Sequence, residues 1–240
     1  MTAHIVTDDL KLQALYQLPL LQQSQDYDYL LTWLNHKLQL IAKNKKFTPL
    51  VVDFTTGKLG YSLAHRSVKN ELLAKACGLK ATKSLSLLDA TAGLGQDAFM
   101  LASFNCQVIL LERHPIVAGL LEDGLRRAAQ DPRTADIIQG MQLMKIDAIS
   151  YCTEHPQAFH VVYLDPMFPS KTKAALAKKE MQIFQAMMSD TDTDALFHAA
   201  QHCARSRLVV KRPLQAECLG NEKPHHTVEG KSHRFDVYLS

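Results

Sequence analysis

The sequence predicts an α/β protein built on a doubly wound, mostly parallel sheet, and two patterns lead to this fold class. From about residue 84, short apolar runs alternate with segments of helical periodicity, which is typical of βαβ units. Acidic residues also end four successive apolar runs, and a doubly wound sheet gathers such strand ends at one crevice. We therefore expect a ligand-binding sheet in this part of the chain.

The predicted strands and helices alternate from residue 85 onward. Five strands are expected at residues 85–91, 107–113, 141–147, 161–166 and 207–213. Helices are expected, from the helical spacing of their apolar side chains, at residues 95–104, 115–131, 171–188 and 193–206. Near the C-terminus, apolar Phe235, Val237 and Leu239 alternate with other residues, which predicts a closing antiparallel strand after a turn at Gly230.

The part of the chain before residue 84 has a different pattern. Residues 66–80 have one apolar face and Gly78 near their end, which predicts a helix that stops there. Apolar runs at residues 37–43 and 50–54 flank a turn-like segment. We therefore expect a small β-rich appendage at residues 1–60 and a main domain at residues 61–240.

Composition and charge restrict the class of protein. With 47% hydrophobic and 21% charged residues, and no apolar run of the roughly 20 residues that a membrane-spanning helix needs, the 240-residue chain is typical of soluble proteins. It begins without a signal-peptide pattern, and its five cysteines form no paired motif, so we expect a cytoplasmic protein without a disulfide framework or zinc ribbon. The net charge of +3 does not by itself indicate a nucleic-acid binder.

The turn after the first predicted strand has the composition of a cofactor-binding loop. Gly93 and Gly95 allow the backbone to approach a ligand, and with Ala98 they also fit the dinucleotide fingerprint. The glycines alone leave a nicotinamide and other adenosine cofactors open. Asp89, four residues before Gly93, would repel a pyrophosphate but could accept a hydrogen bond from a cationic ligand. S-adenosylmethionine carries an ammonium and a sulfonium and no phosphate, so Asp89 favours it.

The other strand-end acids extend this predicted site. Glu112 ends the second strand, where a carboxylate can bind two ribose hydroxyls, and the stem of Arg113 could cover an adenine. Asp147 ends the third strand, within reach of an adenine amino group, and Asp165 ends the fourth. Because the ends of these strands share one crevice, the acids together predict one cofactor site.

Six segments of the chain are typical of one known family: DATAGLGQDAF, LLERHPIVAGLLEDGL, VVYLDPMFP, KKEMQIFQ, VVKRP and HRFDVY. From about residue 50 to the C-terminus the chain resembles ribosomal RNA small subunit methyltransferase J. Members of that family transfer a methyl group from S-adenosylmethionine to the exocyclic N2 of a guanine in small-subunit (16S) ribosomal RNA. The resemblance implies a seven-stranded, Rossmann-like class I methyltransferase core. The cofactor contacts that it implies are Gln96, Asp97, Glu112, Arg113, Asp147, Ala148 and Asp165.

Two places depart from the pattern of that family. The family often has Arg at position 96 and hydroxyl residues around positions 147 and 148, where this chain has Gln96, Asp147 and Ala148. Backbone contacts to the cofactor do not depend on these side chains.

The segment Asp165-Pro166-Met167-Phe168 is a variant of the acid-Pro-Pro-aromatic loop of methyltransferases that act on planar exocyclic amines. Such an amine is a poor nucleophile because its lone pair is delocalised into the ring. Asp165 and the Pro166 carbonyl could accept its two N–H bonds and orient the nitrogen, while Phe168 would stack on the extruded base. These three are the predicted catalytic residues. The alternative is a proline turn over a core phenylalanine.

Basic residues near this loop predict a surface for an anionic macromolecule, although a solvated helix face explains some of them. The predicted RNA-binding residues are Lys171, Lys173, Lys178, Lys179, Lys211, Arg212 and Arg234.

These patterns together predict an S-adenosylmethionine-dependent RNA guanine-N2 methyltransferase. Its partner would be small-subunit ribosomal RNA or the 30S subunit, and it would work by direct SN2 transfer without a metal or a covalent intermediate. One alternative is a nicotinamide-dependent oxidoreductase, against which Asp89 and the proline loop speak. A second is a non-catalytic RNA- or ribosome-binding module, which would not need the four strand-end acids. A DNA or protein amine methyltransferase is the third.

Overall fold

The computed structural model describes residues 3–22, 26–43, 48–56, 71–80, 84–166 and 192–240. Two sheets, one of three strands and one of seven, form its framework. Several predicted features lie outside the described residues: the helix at 171–188, Phe168, Lys171, Lys173, Lys178 and Lys179.

The three-stranded sheet lies near the N-terminus. It consists of β1 (Ile5–Thr7), β2 (Tyr29–Leu34) and β3 (Lys37–Ala42), with β1 parallel and β3 antiparallel to β2. A short helix, α1 (Leu10–Tyr16), follows β1; it begins where the Asp9 carboxylate accepts two backbone N–H bonds. The prediction of β structure in this part is confirmed. The run at residues 50–54 contributes a single bridge, Leu50 with Leu40, in place of a strand.

The seven-stranded sheet contains all the strands predicted after residue 84. Its strands are β4 (Ser86–Asp89), β5 (Gln107–Leu111), β6 (Met141–Met144), β7 (Phe159–Leu164), β8 (Ala204–Pro213), β9 (His226–Glu229) and β10 (His233–Leu239). They lie in the order β6-β5-β4-β7-β8-β10-β9. The first five in this order are parallel, whereas β10 runs antiparallel to both of its neighbours. The predicted closing strand is thus one half of a hairpin, with Gly230 in its turn.

Helices cover both faces of this sheet, as expected for a doubly wound fold. They are α2 (Leu72–Ala76), α3 (Gln96–Ala102), α4 (Pro115–Ala128), α5 (Ala135–Gln139), α6 (Ala148–Glu154) and α7 (Thr193–Cys203). Side chains of α3 and α4 pack on one face in a first apolar cluster that includes Leu87, Phe99 and Leu121. Side chains of α6 and α7 pack on the other face in a second cluster that includes Leu88 and Phe197.

The residues of β4 show why neighbouring positions serve different clusters. Leu87 belongs to the first cluster and Leu88 to the second, because successive side chains of a strand point to opposite faces. Strands buried on both faces read as continuous apolar runs, which is why the sequence predicted them well.

One buried acid connects the small sheet to α4. The Asp123 carboxylate accepts the Leu38 N–H of β3 at 3.1 Å and also bonds the guanidinium groups of Arg126 and Arg127 at 2.7 and 2.9 Å. Its side chain is 3% exposed, so these charge-assisted bonds compensate for its burial. The first apolar cluster also includes Leu31 and Leu40 of the small sheet, so both sheets share one core.

The structure corrects several predicted boundaries. The helix expected at 193–206 ends at Cys203, and β8 begins at Ala204, so the predicted helix extended three residues too far. Helices α5 and α6 were not predicted, because each is short and lies between two apolar runs. The described part of the helix at 66–80 is α2, after which Gly78 adopts φ +67°, the left-handed conformation expected at a helix end.

Candidate active site

Three of the four predicted acids lie at the carboxyl ends of strands of the large sheet, whereas Asp147, predicted to end the third strand, lies three residues after β6 and caps α6. Asp89 is the last residue of β4, Glu112 directly follows β5, and Asp165 directly follows β7. The residue two positions before each of these three belongs to the first apolar cluster. Because side chains alternate along a strand, the three carboxylates face the side of the sheet that α3 and α4 cover. The chain order reverses at β4, so the crevice opens beside this strand.

The turn between β4 and α3 is held by backbone hydrogen bonds from both neighbouring strands. The N–H of Ala90 donates to the Tyr163 carbonyl of β7, and that of Ala92 donates to the Leu111 carbonyl of β5, each at 3.1 Å. Gly95 has φ +72°, and a β-carbon there would lie 2.7 Å from Leu121 Cδ1 of α4. Position 95 therefore requires glycine both for its backbone conformation and for close helix packing.

Glu112 joins this glycine turn to the start of α4. Its Oε2 accepts the N–H of Gly93 at 3.0 Å, and its Oε1 accepts the N–H of His114 at 2.8 Å. Glu112 is 4% exposed, and burial raises the pKa of its carboxyl group against the opposing effect of the two N–H bonds. In a dinucleotide fold the N–H groups of this turn face a pyrophosphate, but here one of them is bound to a carboxylate. This arrangement speaks against the nicotinamide alternative.

Asp89 lies beneath the same turn. Its carboxylate accepts the Thr91 N–H at 3.1 Å, and the residue is 2% exposed. Burial, followed by the nearby charge of Asp97, raises the pKa of Asp89 to about 8. A cation bound beside Asp89 would favour its ionised form.

A lysine joins two acids of the crevice. Lys211 of β8 donates from Nζ to Asp97 Oδ2 and to Asp165 Oδ2, both at 2.9 Å. The Tyr163 hydroxyl donates to the same oxygen of Asp97 at 2.6 Å. Although burial opposes the charged form of Lys211, the two carboxylates raise its pKa, so the ammonium keeps its proton. Burial and the charge of Asp97 likewise raise the pKa of Tyr163.

Asp165 connects the end of β7 to the glycine turn. Its N–H donates to Thr91 Oγ1 at 2.7 Å, and its side chain is 39% exposed toward the crevice. Burial raises the pKa of the Asp165 carboxyl group, while the Lys211 ammonium acts in the opposite direction. Pro166 is buried directly after it, and Phe168 falls outside the described residues.

A further group of predicted cofactor residues lies around Asp147, which follows β6. Asp147 caps α6 by accepting the Ser150 N–H at 3.0 Å, and its other oxygen lies 3.8 Å from Arg113 Nη1. Ala148 is the half-buried first residue of α6, and Gln96 is the exposed first residue of α3. Asp147, Arg113, Ala148 and Gln96 lie in the loops and helix starts that follow β6, β5 and β4. Whether they contact a cofactor stays a prediction.

The predicted RNA-binding residues that the structure describes make contacts within the chain. Arg212 is 6% exposed and donates to the Glu217 carbonyl. Arg234 bonds both oxygens of Asp236 and the carbonyls of Pro213, Leu214 and Ala216, so it holds the segment after β8. Lys211 lies inside the crevice. Whether these three contact RNA stays a prediction.

Sequence reasoning missed Tyr163 and Thr91 as parts of the site. Tyr163 lies two residues before Asp165 on the same strand face, so period-2 counting back from the acid would have found it. The Thr91 hydroxyl contact joins residues 74 positions apart, and the sequence contains no signal for it.

The charges of this crevice fit a cationic ligand. The Lys211 ammonium binds the carboxylates of Asp97 and Asp165, and the charges of all three groups act on the buried Asp89, so the acids outnumber the base. S-adenosylmethionine has a sulfonium and an ammonium that would complement these acids. Glu112 has buried carboxylate oxygens, and their contact to ribose hydroxyls stays a prediction. Within the described residues no group of three or more His, Cys, Asp or Glu side chains could hold a metal ion. Among these same residues no helix is both long and apolar enough to cross a membrane.

Comparison with known proteins leads to the same cofactor. The family model described as "Putative SAM-dependent methyltransferase" matches residues 12–240. The chain is 48% identical to ribosomal RNA small subunit methyltransferase J of Thioalkalivibrio sulfidiphilus over 195 residues, which is 80% of this chain and 76% of that protein. It is 44% identical to the protein of the same name from Aeromonas salmonicida, over 91% of this chain and 89% of that one.

A solved structure agrees with the fold as well. The crystal structure of a SAM-dependent methyltransferase from Neisseria gonorrhoeae superposes with a TM-score of 0.74 at 33% identity, covering 98% of this chain and 95% of that one. The seven-stranded sheet is therefore a class I methyltransferase sheet, and S-adenosylmethionine is the cofactor of the fold. On these grounds the chain belongs to the ribosomal RNA small subunit methyltransferase J family of SAM-dependent methyltransferases.

Proposed function

We propose that this protein methylates the exocyclic N2 of a guanine in small-subunit ribosomal RNA. The observation that carries the proposal is the position of Asp165. Its carboxylate borders the crevice beside Asp89, and the next residue in the chain is a buried proline. The names of the relatives support ribosomal RNA as the substrate. A substrate of this kind would place the protein in the cytoplasm, where ribosomal subunits are assembled.

We assign the cofactor to the part of the crevice beside the glycine turn. Glu112 would bind the ribose hydroxyls through the lone pairs that its two backbone N–H bonds do not use. The carboxylates of Asp89 and Asp97 would face the cationic groups, and Arg113 with Asp147 would border the adenine. When bound, S-adenosylmethionine supplies the methyl group on a positively charged sulfur.

The other part of the crevice would orient the amine. Asp165 and the Pro166 carbonyl would accept its two N–H bonds, so that the nitrogen lone pair points toward the methyl carbon. The nitrogen loses one proton as the new N–C bond forms and the S–C bond breaks. Lys211 holds its own proton because of its raised pKa, so we assign the role of proton acceptor to Asp165. Phe168 would stack on the base.

The RNA itself would be positioned by basic residues around this loop. Lys171, Lys173, Lys178 and Lys179 directly follow the proline loop in the sequence and would contact phosphates. We also propose the division of the chain into an appendage at residues 1–60 and a methyltransferase domain at residues 61–240. In this division the small sheet extends the methyltransferase core, since both share the first apolar cluster.

The test is incubation of the protein with labelled S-adenosylmethionine and separated ribosomal RNAs, naked and in 30S subunits, followed by mass spectrometry of the nucleosides. We expect label in N2-methylguanosine of the small-subunit RNA and its loss with Asp165→Asn. Label in another nucleoside, in DNA or in protein would contradict the proposal. Binding of 30S subunits without any transfer would favour the non-catalytic alternative.

A further inference from the structure

We propose that Lys211 is a positioning residue that holds the Asp165 carboxylate in place for the target amine and joins it to Asp97 on the cofactor side. This inference rests on the proposed function, because it concerns the same methyl transfer. It gives Lys211 a role inside the crevice in place of the phosphate contact that the sequence predicted.

The sheet register explains why Lys211 and Asp165 meet. Strands β7 and β8 are parallel, and Leu164 lies opposite Val210. Asp165, directly after β7, and Lys211 of β8 are the next residues along the two chains, so their side chains lie on the same face of the sheet. That face is covered by α3, whose first turn carries Asp97. The ammonium therefore lies where two strand ends and one helix start converge.

The bonds of Lys211 determine the orientation of Asp165. The ammonium binds Oδ2 of Asp165, and the Asp165 N–H is bound by Thr91, so both its side chain and its backbone are held. The carboxylate can then present Oδ1 to an amine. The Tyr163 hydroxyl binds the same Asp97 oxygen as the ammonium and so restrains Asp97, and the lysine side chain is 26% exposed. Because Lys211 holds its side chain and Thr91 holds its backbone, Asp165 loses little conformational freedom when substrate binds.

The surrounding charges disfavour a phosphate contact at Lys211. A phosphate that approached this ammonium would also meet two carboxylates at 2.9 Å from Nζ. Like charges at such distances repel strongly in a partly buried site. The lysine instead favours the ionised form of Asp165. Within the part of the chain that the structure describes, Asp97 and His233 also act on the charge of Asp165, and Asp165 in turn acts on Asp89 and Tyr163.

The experiment compares Lys211→Met and Lys211→Arg with wild type, and uses Lys43→Met as the matched control. Lys43 directly follows β3 and also binds an aspartate, Asp26, at 2.7 Å, but this partner is fully exposed to solvent. For each protein we would measure kcat at saturating RNA across pH, RNA affinity across salt concentration, and cofactor affinity by calorimetry. The Asp165 carboxyl group would be titrated by 13C NMR without substrate.

We expect Lys211→Met to lower kcat by a factor of about 100, the scale of a misplaced reacting group. The acidic limb of its rate profile should move to higher pH by about one unit or more, because Asp165 loses its neighbouring cation. Lys211→Arg, which keeps the charge, should retain the wild-type limb and recover part of kcat. RNA affinity should keep the wild-type salt dependence in both variants, and Lys43→Met should match wild type throughout.

Two results would overturn the inference. One is a Lys211→Met or Lys211→Arg protein with wild-type kcat and a salt slope reduced by about one, which is the signature of a lost phosphate contact. The other is an Asp165 carboxyl group that titrates in Lys211→Met as it does in wild type. If Lys211→Met does not fold, the contradicting result is a Lys211→Arg protein whose acidic limb of the rate profile moves to higher pH by as much as loss of the charge predicts. The NMR titration needs no methylation. It therefore tests Lys211 even if wild type modifies no guanine, a result that would refute only the proposed function.

Discussion

The Glu112 carboxylate bridges Gly93 and the start of α4, with one oxygen on the Gly93 N–H at 3.0 Å and the other on the His114 N–H at 2.8 Å. This bridge fixes the acid before any ligand arrives. It also fixes the glycine turn relative to β5, because the turn could not shift without breaking a charge-assisted bond in a buried place. The same side chain therefore shapes the turn and, in our proposal, would offer acceptor oxygens to the cofactor.

Replacing Glu112 should weaken cofactor binding. Glu112→Ala removes the acceptor of two backbone N–H groups, so we expect a loss of about 1–3 kcal/mol in S-adenosylmethionine affinity by calorimetry. Glu112→Gln keeps the size and one acceptor oxygen and should lose less. Glu122→Gln is the control, since Glu122 lies on the outer side of α4 with a 57% exposed side chain. If folded Glu112→Ala bound the cofactor as wild type does, Glu112 would have no part in the site.

Asp89 should make the protein less stable as the pH rises. Its folded-state pKa is raised from 3.8 to about 8, so between these values the folded protein keeps a proton that the unfolded chain releases. Its contribution to stability is thus complete at low pH and is lost as the pH approaches 8, at up to about 1.4 kcal/mol per pH unit. Asp89→Asn should flatten the dependence of the free energy of unfolding on pH in denaturant titrations. The exposed Asp8→Asn serves as the control, and an equal slope in wild type and Asp89→Asn would contradict the assignment.

Cofactor binding should release protons near neutral pH. Burial raises the pKa of Asp89 to about 8, and a cation placed beside this carboxyl group would lower the value again. Calorimetry of S-adenosylmethionine binding in phosphate and in Tris should therefore give different enthalpies, from which the released protons are counted. S-adenosylhomocysteine, whose sulfur is neutral, should release fewer. Identical enthalpies in the two buffers would show that the cation lies elsewhere.

Neutralising Lys171, Lys173, Lys178 and Lys179 together should weaken RNA binding and flatten its salt dependence. Phosphate contacts release counterions, so each lost contact lowers the slope of log affinity against log salt by about 0.7–0.9. Cofactor affinity should stay unchanged, which separates this effect from misfolding. A variant with the wild-type slope would identify the lysines as an ordinary solvated surface.

Phe168→Ala should weaken the binding of substrate RNA by about 1–3 kcal/mol, the scale of base stacking on an aromatic ring. Phe168→Trp keeps a stacking surface and should stay close to wild type. Both variants would be compared in cofactor affinity, RNA affinity and methylation rate. A Phe168→Ala protein with wild-type values in all three would show that the ring packs in the core and that the loop is a structural turn.

Much of the fold could be predicted because its signals are local. Doubly buried strands such as β7 are continuous apolar runs, and helices such as α4 repeat apolar residues every three or four positions. The boundaries failed where two elements meet without a break, as at Cys203 and Ala204, since no glycine or proline separates α7 from β8. The short helix α6 was missed because its capping acid, Asp147, was interpreted as a strand-end ligand residue.

The sequence by itself determined which side chains end the strands, because a strand end and its acid are neighbours in the chain. Asp89, Glu112 and Asp165 could be predicted in this way, and the family resemblance also followed from the sequence alone. Only the tertiary structure decided that Lys211 meets Asp165 and Asp97, which lie 46 and 114 positions away in the sequence. Such contacts depend on strand order and register, which place β7 between β4 and β8. The energy that selects this order is spread over the whole core, so no local pattern contains it.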